Sequence, residues 1–266
     1  MASYRDSRGR PIVAITGAGI VSSLGQGKQE NWEKLINGQS GIHRIERFPT
    51  DHLKTSIAGT VDFMTDPDDG SPALTYALAE SAALEAINQS GLSTTEFGGP
   101  LFLAAPPVEL EWQHRFKLNE EGANLSNELQ SYDRLLLAAR SAAHPEFMPS
   151  VKFSSTAKRL QERIGTCGLP ITLSTACASG ATAIQMGAEA VRRGEADRVL
   201  AVGTDGSVTA EALIRFSLLS ALSTQNDDPA LASKPFSKDR DGFVMAEGAG
   251  ALVLEPLEAA VARGAD

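Results

Sequence analysis

Short apolar runs rich in β-branched residues alternate with segments of helical period from one end of this chain to the other. The runs are Ile12–Thr16, Leu101–Ala105, Ile171–Ser174, Val199–Val202 and Ala249–Leu254. Unbroken apolar runs of that length read as buried strands. Between them the spacing predicts helices over 28–37, 72–89, 153–164 and 208–216, a small-residue helix ending at Arg193, and a short helix reaching Gly264. Trp32, Leu35 and Ile36 are expected to share the inward face of the first. Two more helical stretches, 108–118 and 126–142, precede a Pro-bounded loop at Pro145 and Pro149, and 41–70 reads as a surface excursion with short strands. Strand–helix alternation of this kind is the signature of an α/β fold with a mainly parallel sheet and helices on its faces.

Composition narrows the function classes. With 24 Lys+Arg against 33 Asp+Glu the formal charge is −9, which argues against a general nucleic-acid role, since that needs a basic face. No apolar run approaches the roughly 18 residues of a membrane-spanning helix, and the polar start MASYRDSRGRP has no apolar leader segment. Two cysteines, Cys167 and Cys177, are too few for a disulfide framework, so a reduced, cytoplasmic setting is expected. The four histidines, His43, His52, His114 and His144, form no ligand-spaced pair, and no metal site is expected.

Three stretches carry possible chemistry. Thr16-Gly17-Ala18-Gly19 follows a strand as a dinucleotide-binding turn would, but Ser22 replaces the third glycine and no acidic residue closes a second strand. It reads as a structural turn, with a nucleotide-binding oxidoreductase as the competing reading. In Ser174-Thr175-Ala176-Cys177-Ala178-Ser179-Gly180 a thiol stands between a strand and a helix. There the unpaired N–H groups and dipole of a helix N-terminus favour thiolate, the nucleophilic form. Ala176, Ala178 and Gly180 keep the turn open, and Ile184, Ala188 and Val191 share a face of the helix behind it. On spacing alone a buried structural cysteine fits too, and Cys167, outside any CxxC pair, is read as structural. The third stretch, Lys234 to Gly250, places Asp239, Arg240, Asp241 and Glu247 beside Phe243 and Val244. Its spacing fails the calcium-loop pattern. An internal ion-pair network holding a loop is expected.

Taken together these motifs resemble the elongating β-ketoacyl-acyl-carrier-protein synthases of the thiolase-like fold. The resemblance rests on Ile12-Val13-Ala14-Ile15-Thr16-Gly17-Ala18-Gly19 with Ser23-Leu24-Gly25, on Trp32, Gly41-Ile42 and Phe48, and on Thr175-Ala176-Cys177-Ala178-Ser179-Gly180. It continues through Arg193-Gly194-Glu195-Ala196-Asp197, Val202-Gly203-Thr204-Asp205, Ala221-Leu222-Ser223-Thr224 and Pro235-Phe236 to Gly250. It implies that residues 1–266 form one N-terminal domain, half of a duplicated α-β-α-β-α fold. It implies that Cys177 takes an acyl group from acyl carrier protein and that a malonyl-carrier carbanion, formed by loss of carbon dioxide, attacks that thioester in fatty acid biosynthesis. The Cys177 N–H would supply one oxyanion donor, and Phe216, Ile184 and Val108 would line the acyl pocket. A homo- or heterodimer, an acyl-carrier partner and no cofactor are implied. The family's two histidines and lysine, and a second oxyanion donor, belong to a C-terminal half that these 266 residues do not reach, so the chain alone is expected to be incomplete and to expose apolar surface. Two stretches depart from the family pattern: Ala104-Ala105-Pro106-Pro107-Val108 replaces a glycine-serine run, and Asp66-Pro67-Asp68-Asp69 stands where basic docking residues are usual. The alternative is a non-catalytic truncated paralogue acting as a dimerisation or chain-length partner.

Overall fold

The computed structural model describes residues 4–64, 70–107, 110–141, 144–145, 147 and 151–265. They fall into two compact units, one of residues 1–106 with 156–266, the other of residues 107–155. Val108 and the acidic run 66–69 lie outside the described residues.

The larger unit is built on a six-stranded sheet. Its strands are β1 (Val13–Ser22), β2 (Gly25–Gln26), β5 (Leu101–Ala104), β6 (Ile171–Leu173), β7 (Val199–Asp205) and β8 (Gly248–Pro256), in the spatial order β2-β1-β8-β7-β5-β6. β5 pairs parallel with β6 and β7, while β8 runs antiparallel to both β1 and β7. Four strands (β1, β5, β6 and β7) therefore point one way, as expected, and β8 with the short β2 makes the sheet mixed. A small hairpin, β3 (His43–Arg44) with β4 (Ile57–Ala58), forms the excursion before the first long helix.

Alternation of side chains along each strand divides the core in two. Leu101, Leu103, Leu200, Val202, Ala251 and Val253 face helix α2 (Gly70–Ser90) and helix α5 (Ser155–Ile164). Phe102, Ala104, Val199, Ala201 and Leu254 face helix α6 (Ser179–Arg192) through Ala183, Ala190 and Val191. Each fully buried Leu or Ile, such as Leu78 and Ile87 of α2, contributes about 1.5–3 kcal/mol.

The first glycine motif is corrected by this packing. Gly17 and Gly19 do not form a turn; β1 continues through them to Ser22. A Cβ at Gly17 would sit 1.9 Å from the Ala86 carbonyl oxygen, and one at Gly19 2.0 Å from that of Ala82. The glycines exist so that α2 can lie against the strand, and that helix fills the space a phosphate would need. The outer edge of β1 is closed by side chains: Ala18 N–H donates to Gln89 Oε1 at 2.8 Å and Ile20 N–H to Glu85 Oε2 at 2.9 Å.

Helix α1 (Lys28–Ile36) also departs from expectation. Trp32, Leu35 and Ile36 are 64, 56 and 62 % exposed. The buried residue is Asn31, whose Nδ2 donates to the Gly25 and Gly27 carbonyls at 2.8 Å each, so a polar anchor seats the helix and its apolar stripe faces outward. In α6 the inward positions are Ala183, Gly187, Ala190 and Val191, and Ile184, expected on that face, is 40 % exposed.

The smaller unit is a helical hairpin, α3 (Trp112–Leu125) and α4 (Ser131–Arg140). The first starts later and runs longer than its periodicity predicts. The helices meet at Gly122, where a Cβ would lie 2.0 Å from the Arg134 carbonyl oxygen. His114 and His144 both pack on the Phe147 ring, at 4.9 and 5.1 Å. Helices α7 (Ala210–Leu218) and α8 (Leu257–Ala262) and a 3-10 helix at Pro229–Leu231 complete the described elements of the larger unit. Among the described residues no group of His, Cys, Asp or Glu could hold a metal ion, and no helix is long and apolar enough to cross a membrane.

Candidate active site

Strand β6 ends at Leu173 and α6 begins at Ser179, so the chain reverses within five residues, Ser174 to Ala178. Ala176 absorbs the reversal with φ of +52°, in the left-handed region that L-residues seldom occupy. Local hydrogen bonds hold it there. The Ser179 hydroxyl accepts from Thr175 N–H at 2.8 Å and donates to the Ala176 carbonyl at 2.6 Å. Ser179 N–H adds a second bond to that carbonyl at 3.0 Å. The Thr182 hydroxyl donates to the Ala178 carbonyl at 3.0 Å and lies 3.1 Å from the Thr175 hydroxyl.

This turn presents Cys177 as an exposed free thiol two residues before the helix. A structural cysteine would be buried; this one is offered to solvent at a helix N-terminus, where unpaired N–H groups and the dipole stabilise a developing anion. Cys167 is exposed as well, so the sequence reading of it as a structural residue finds no support in burial. Ser179 has no role of its own in the sequence reading, and Thr182 is unmarked there. The signal for the first was present: a serine at a strand-to-helix junction is the usual donor–acceptor at a helix start.

The residues expected around the acyl chain are distributed differently. Phe216, on α7, is 37 % exposed and meets Phe243 edge-to-face at 5.4 Å. Ile184 lines an apolar groove of about 530 Å³ on the α6 face of the sheet, together with Ala18, Ile20, Gly180, Gly203 and Leu252. Gly180 places one end of that groove at the first turn of the helix that follows Cys177. Val108 lies outside the described residues. Ile15, on β1, is 60 % exposed.

The charged stretch near the C-terminus is corrected in its partners. Asp239, Arg240, Asp241 and Glu247 do not pair with one another. Arg240 donates to the Ser237 carbonyl, Asp239 N–H to the Ser237 hydroxyl, and Asp241 accepts Thr224 N–H at 2.9 Å. That amide, with the Ser223 hydroxyl, holds the Asp241 carboxyl below the usual range. Glu247 is the member of a network, and its cation is Arg47. The guanidinium forks onto both carboxylate oxygens at 2.8 and 2.7 Å and also donates to Asp62 at 2.9 Å. Val61 N–H and Val208 N–H donate to the same carboxylate at 2.9 and 3.0 Å. Burial pushes the Glu247 carboxyl up, opposed by Arg47 and those two amides. Burial alone would lower Arg47, but the carboxylates of Glu247 and Asp62 outweigh it and raise it. One buried carboxylate thereby ties the β4 exit, β8 and the approach to α7, whose N-cap Thr209 follows Val208 directly. Nothing in local spacing marks Arg47, 200 residues away from its partner.

Comparison with known proteins bears on the same residues. Residues 11–260 match the family described as Beta-ketoacyl synthase, N-terminal domain. The 3-oxoacyl-[acyl-carrier-protein] synthase 2 of Vibrio cholerae is 34 % identical over 259 residues, 95 % of this chain and 60 % of that one. The chloroplastic 3-oxoacyl-[acyl-carrier-protein] synthase I of Arabidopsis thaliana is 33 % identical over 275 residues, 99 % of this chain and 55 % of that one. Among solved structures, a type II polyketide ketosynthase in complex with its acyl-carrier protein and bound to the hexaketide aligns with a TM-score of 0.75 at 28 % identity, covering 97 % of this chain and 61 % of that one. A β-ketoacyl synthase from Burkholderia phymatum aligns with a TM-score of 0.74 at 26 % identity, covering 96 % and 62 %. The chain thus spans about 60 % of the length of these relatives, and its sheet is the thiolase-like one they share. With the match running from residue 11 to residue 260, the chain belongs to the β-ketoacyl synthase family and carries that family's N-terminal domain.

Proposed function

We propose that this chain is the acyl-accepting part of a 3-oxoacyl-acyl-carrier-protein synthase, an acyltransferase of fatty acid biosynthesis, with residues 1–266 forming its N-terminal domain. The observation that carries the proposal is the exposed Cys177 thiol on a left-handed turn at the start of α6. The Cys177 sulfur attacks the carbonyl carbon of an acyl thioester on carrier protein. The tetrahedral oxyanion forms near the helix N-terminus, and the carrier's thiol leaves with a proton, so that the acyl group rests on Cys177. Malonyl-carrier protein then loses carbon dioxide. Its carbanion attacks the new thioester, forms the carbon–carbon bond and expels Cys177 as the thiolate, which takes a proton from water. Dividing the reaction through a covalent intermediate replaces one difficult step by two easier ones. Loading is the half-reaction for which these residues supply the nucleophile.

Several features support the surrounding assignments. β6 is an edge strand whose first residue, Ile171, is exposed together with Leu169 just before it, a surface suited to a dimer. Two exposed free thiols suit a reducing, cytoplasmic setting. Acyl carrier protein is proposed as the partner, and Phe216, Ile184 and Val108 as contributors to the acyl pocket. A purely architectural role in dimerisation or chain-length control leaves the exposed, well-held cysteine without a purpose.

Incubation of the chain with acyl-loaded carrier protein tests the proposal. One acyl group is expected on the Cys177 peptide by mass spectrometry, with release of free carrier thiol and little condensation product when malonyl-carrier protein is added. Acylation absent from Cys177, or equal on Cys167, would overturn it.

A further inference from the structure

The turn that carries Cys177 is held by one side chain more than any other. The Ser179 hydroxyl bridges the Thr175 N–H and the Ala176 carbonyl, the two backbone groups that bracket the left-handed Ala176. A non-glycine residue in that region costs on the order of 1–3 kcal/mol and persists only when its surroundings over-determine it. The carbonyl of Ala176 and the N–H of Cys177 belong to one peptide group, which is planar and trans. Fixing the carbonyl toward Ser179 therefore fixes the Cys177 N–H in the opposite direction, away from Ser179. We infer that Ser179 is a positioning residue: its hydroxyl keeps the Ala176–Cys177 peptide from flipping, and so aims both the Cys177 thiol and its N–H at the incoming carbonyl.

Thr182 provides a second, weaker brace through Ala178 and the Thr175 hydroxyl. Without the Ser179 hydroxyl, Thr175 N–H loses its acceptor and the Ala176 carbonyl keeps a single donor, Ser179 N–H at 3.0 Å. The left-handed conformation then has less to hold it, and a peptide flip would turn the Cys177 N–H away from the oxyanion.

This inference rests on the nucleophile proposal, and one experiment separates the two. The full chain is alkylated with iodoacetamide over a pH series, and modification of the Cys177 and Cys167 peptides is followed in the same samples by mass spectrometry. In the wild type Cys177 is expected to react ahead of Cys167. In Ser179→Ala the Cys177 rate is expected to fall roughly three- to tenfold, the range spanned by one lost hydrogen bond, with Cys167 unchanged. Ser179→Thr and Ser179→Val form a second pair of nearly equal shape differing in the hydroxyl; Thr is expected to restore the wild-type profile and Val to reproduce Ala. They carry the comparison if the alanine variant melts early. A wild-type profile in both Ser179→Ala and Ser179→Val overturns the positioning role and leaves the nucleophile reading standing. A wild type in which Cys177 reacts no faster than Cys167 overturns both.

Discussion

Cys177 stands exposed on a turn tied by hydrogen bonds between residues three to seven apart, whereas Glu247 is buried and draws its partners from residues 39 to 200 positions away. The first cluster leaves a thiol accessible, and its bonds fix direction rather than add much stability. The second has no reactive atom to offer. It satisfies a buried charge with a forked guanidinium and two amides, and in doing so joins three distant stretches of chain. An accessible thiol and a buried tie thus lie in different places, and substitutions at the two should fail in different ways.

The sharpest break is expected at the cysteine. Cys177→Ala should abolish acylation from carrier protein, while urea unfolding stays within about 0.5 kcal/mol of wild type, because an exposed side chain contributes little to the core. Cys167→Ala should change neither. The reverse pattern belongs to the buried node. Glu247→Ala leaves the Arg47 guanidinium, whose side chain is 14 % exposed, without its main partner, and removing one member of such a pair costs about 3–5 kcal/mol. Urea unfolding should show that loss, and alkylation of Cys177 under native conditions should remain ahead of Cys167. If Glu247→Ala instead silences Cys177 without loss of stability, the division of labour between the two clusters is wrong.

The same contrast explains what could be read from the sequence. The Cys177 turn is local: strand residues, a thiol, small neighbours and a serine follow one another, and each has a short-range reason to be there. The strands were legible for a similar reason, since β-branched apolar runs bury themselves wherever they pair. Arg47 was not legible, because its role exists only after β3–β4 and β8 have been brought together. Gly17 and Gly19 misled in the same way: their purpose is the approach of α2, which no neighbour in sequence announces. Trp32, Leu35 and Ile36 misled because periodicity marks an apolar stripe without saying what covers it.

Gly19→Ala tests the packing half of that lesson. The added methyl would lie 2.0 Å from the Ala82 carbonyl oxygen and 2.9 Å from Ala86 N, both helix backbone with no rotamer to yield. Overpacking of this kind costs about 1–3 kcal/mol, to be seen as a lowered urea midpoint. Were these glycines a phosphate cradle, the variant would fold normally and lose nucleotide binding instead.

The smallest effect is expected from two exposed carboxyls, Asp241 and Asp62, that are held below their ordinary value. Asp241 is held below its ordinary value of 3.8, first by Thr224 N–H and then by the Ser223 hydroxyl. Asp62 is also lowered: partial burial opposes the shift, but the Thr60 hydroxyl and Arg47 outweigh it. A carboxyl whose folded value lies below its unfolded one stabilises the fold above the unfolded value and loses that contribution as pH falls through the folded value. The contribution of these two groups should therefore be level from neutral pH down toward the ordinary carboxylate range and decline below it. Asp241→Asn should lower the plateau slightly, since the amide still offers an oxygen to Thr224 N–H, and should make the acid decline shallower by one group. Chemical denaturation at a series of pH values measures both. An acid limb unchanged in Asp241→Asn would mean that the 224–241 clasp contributes no proton linkage.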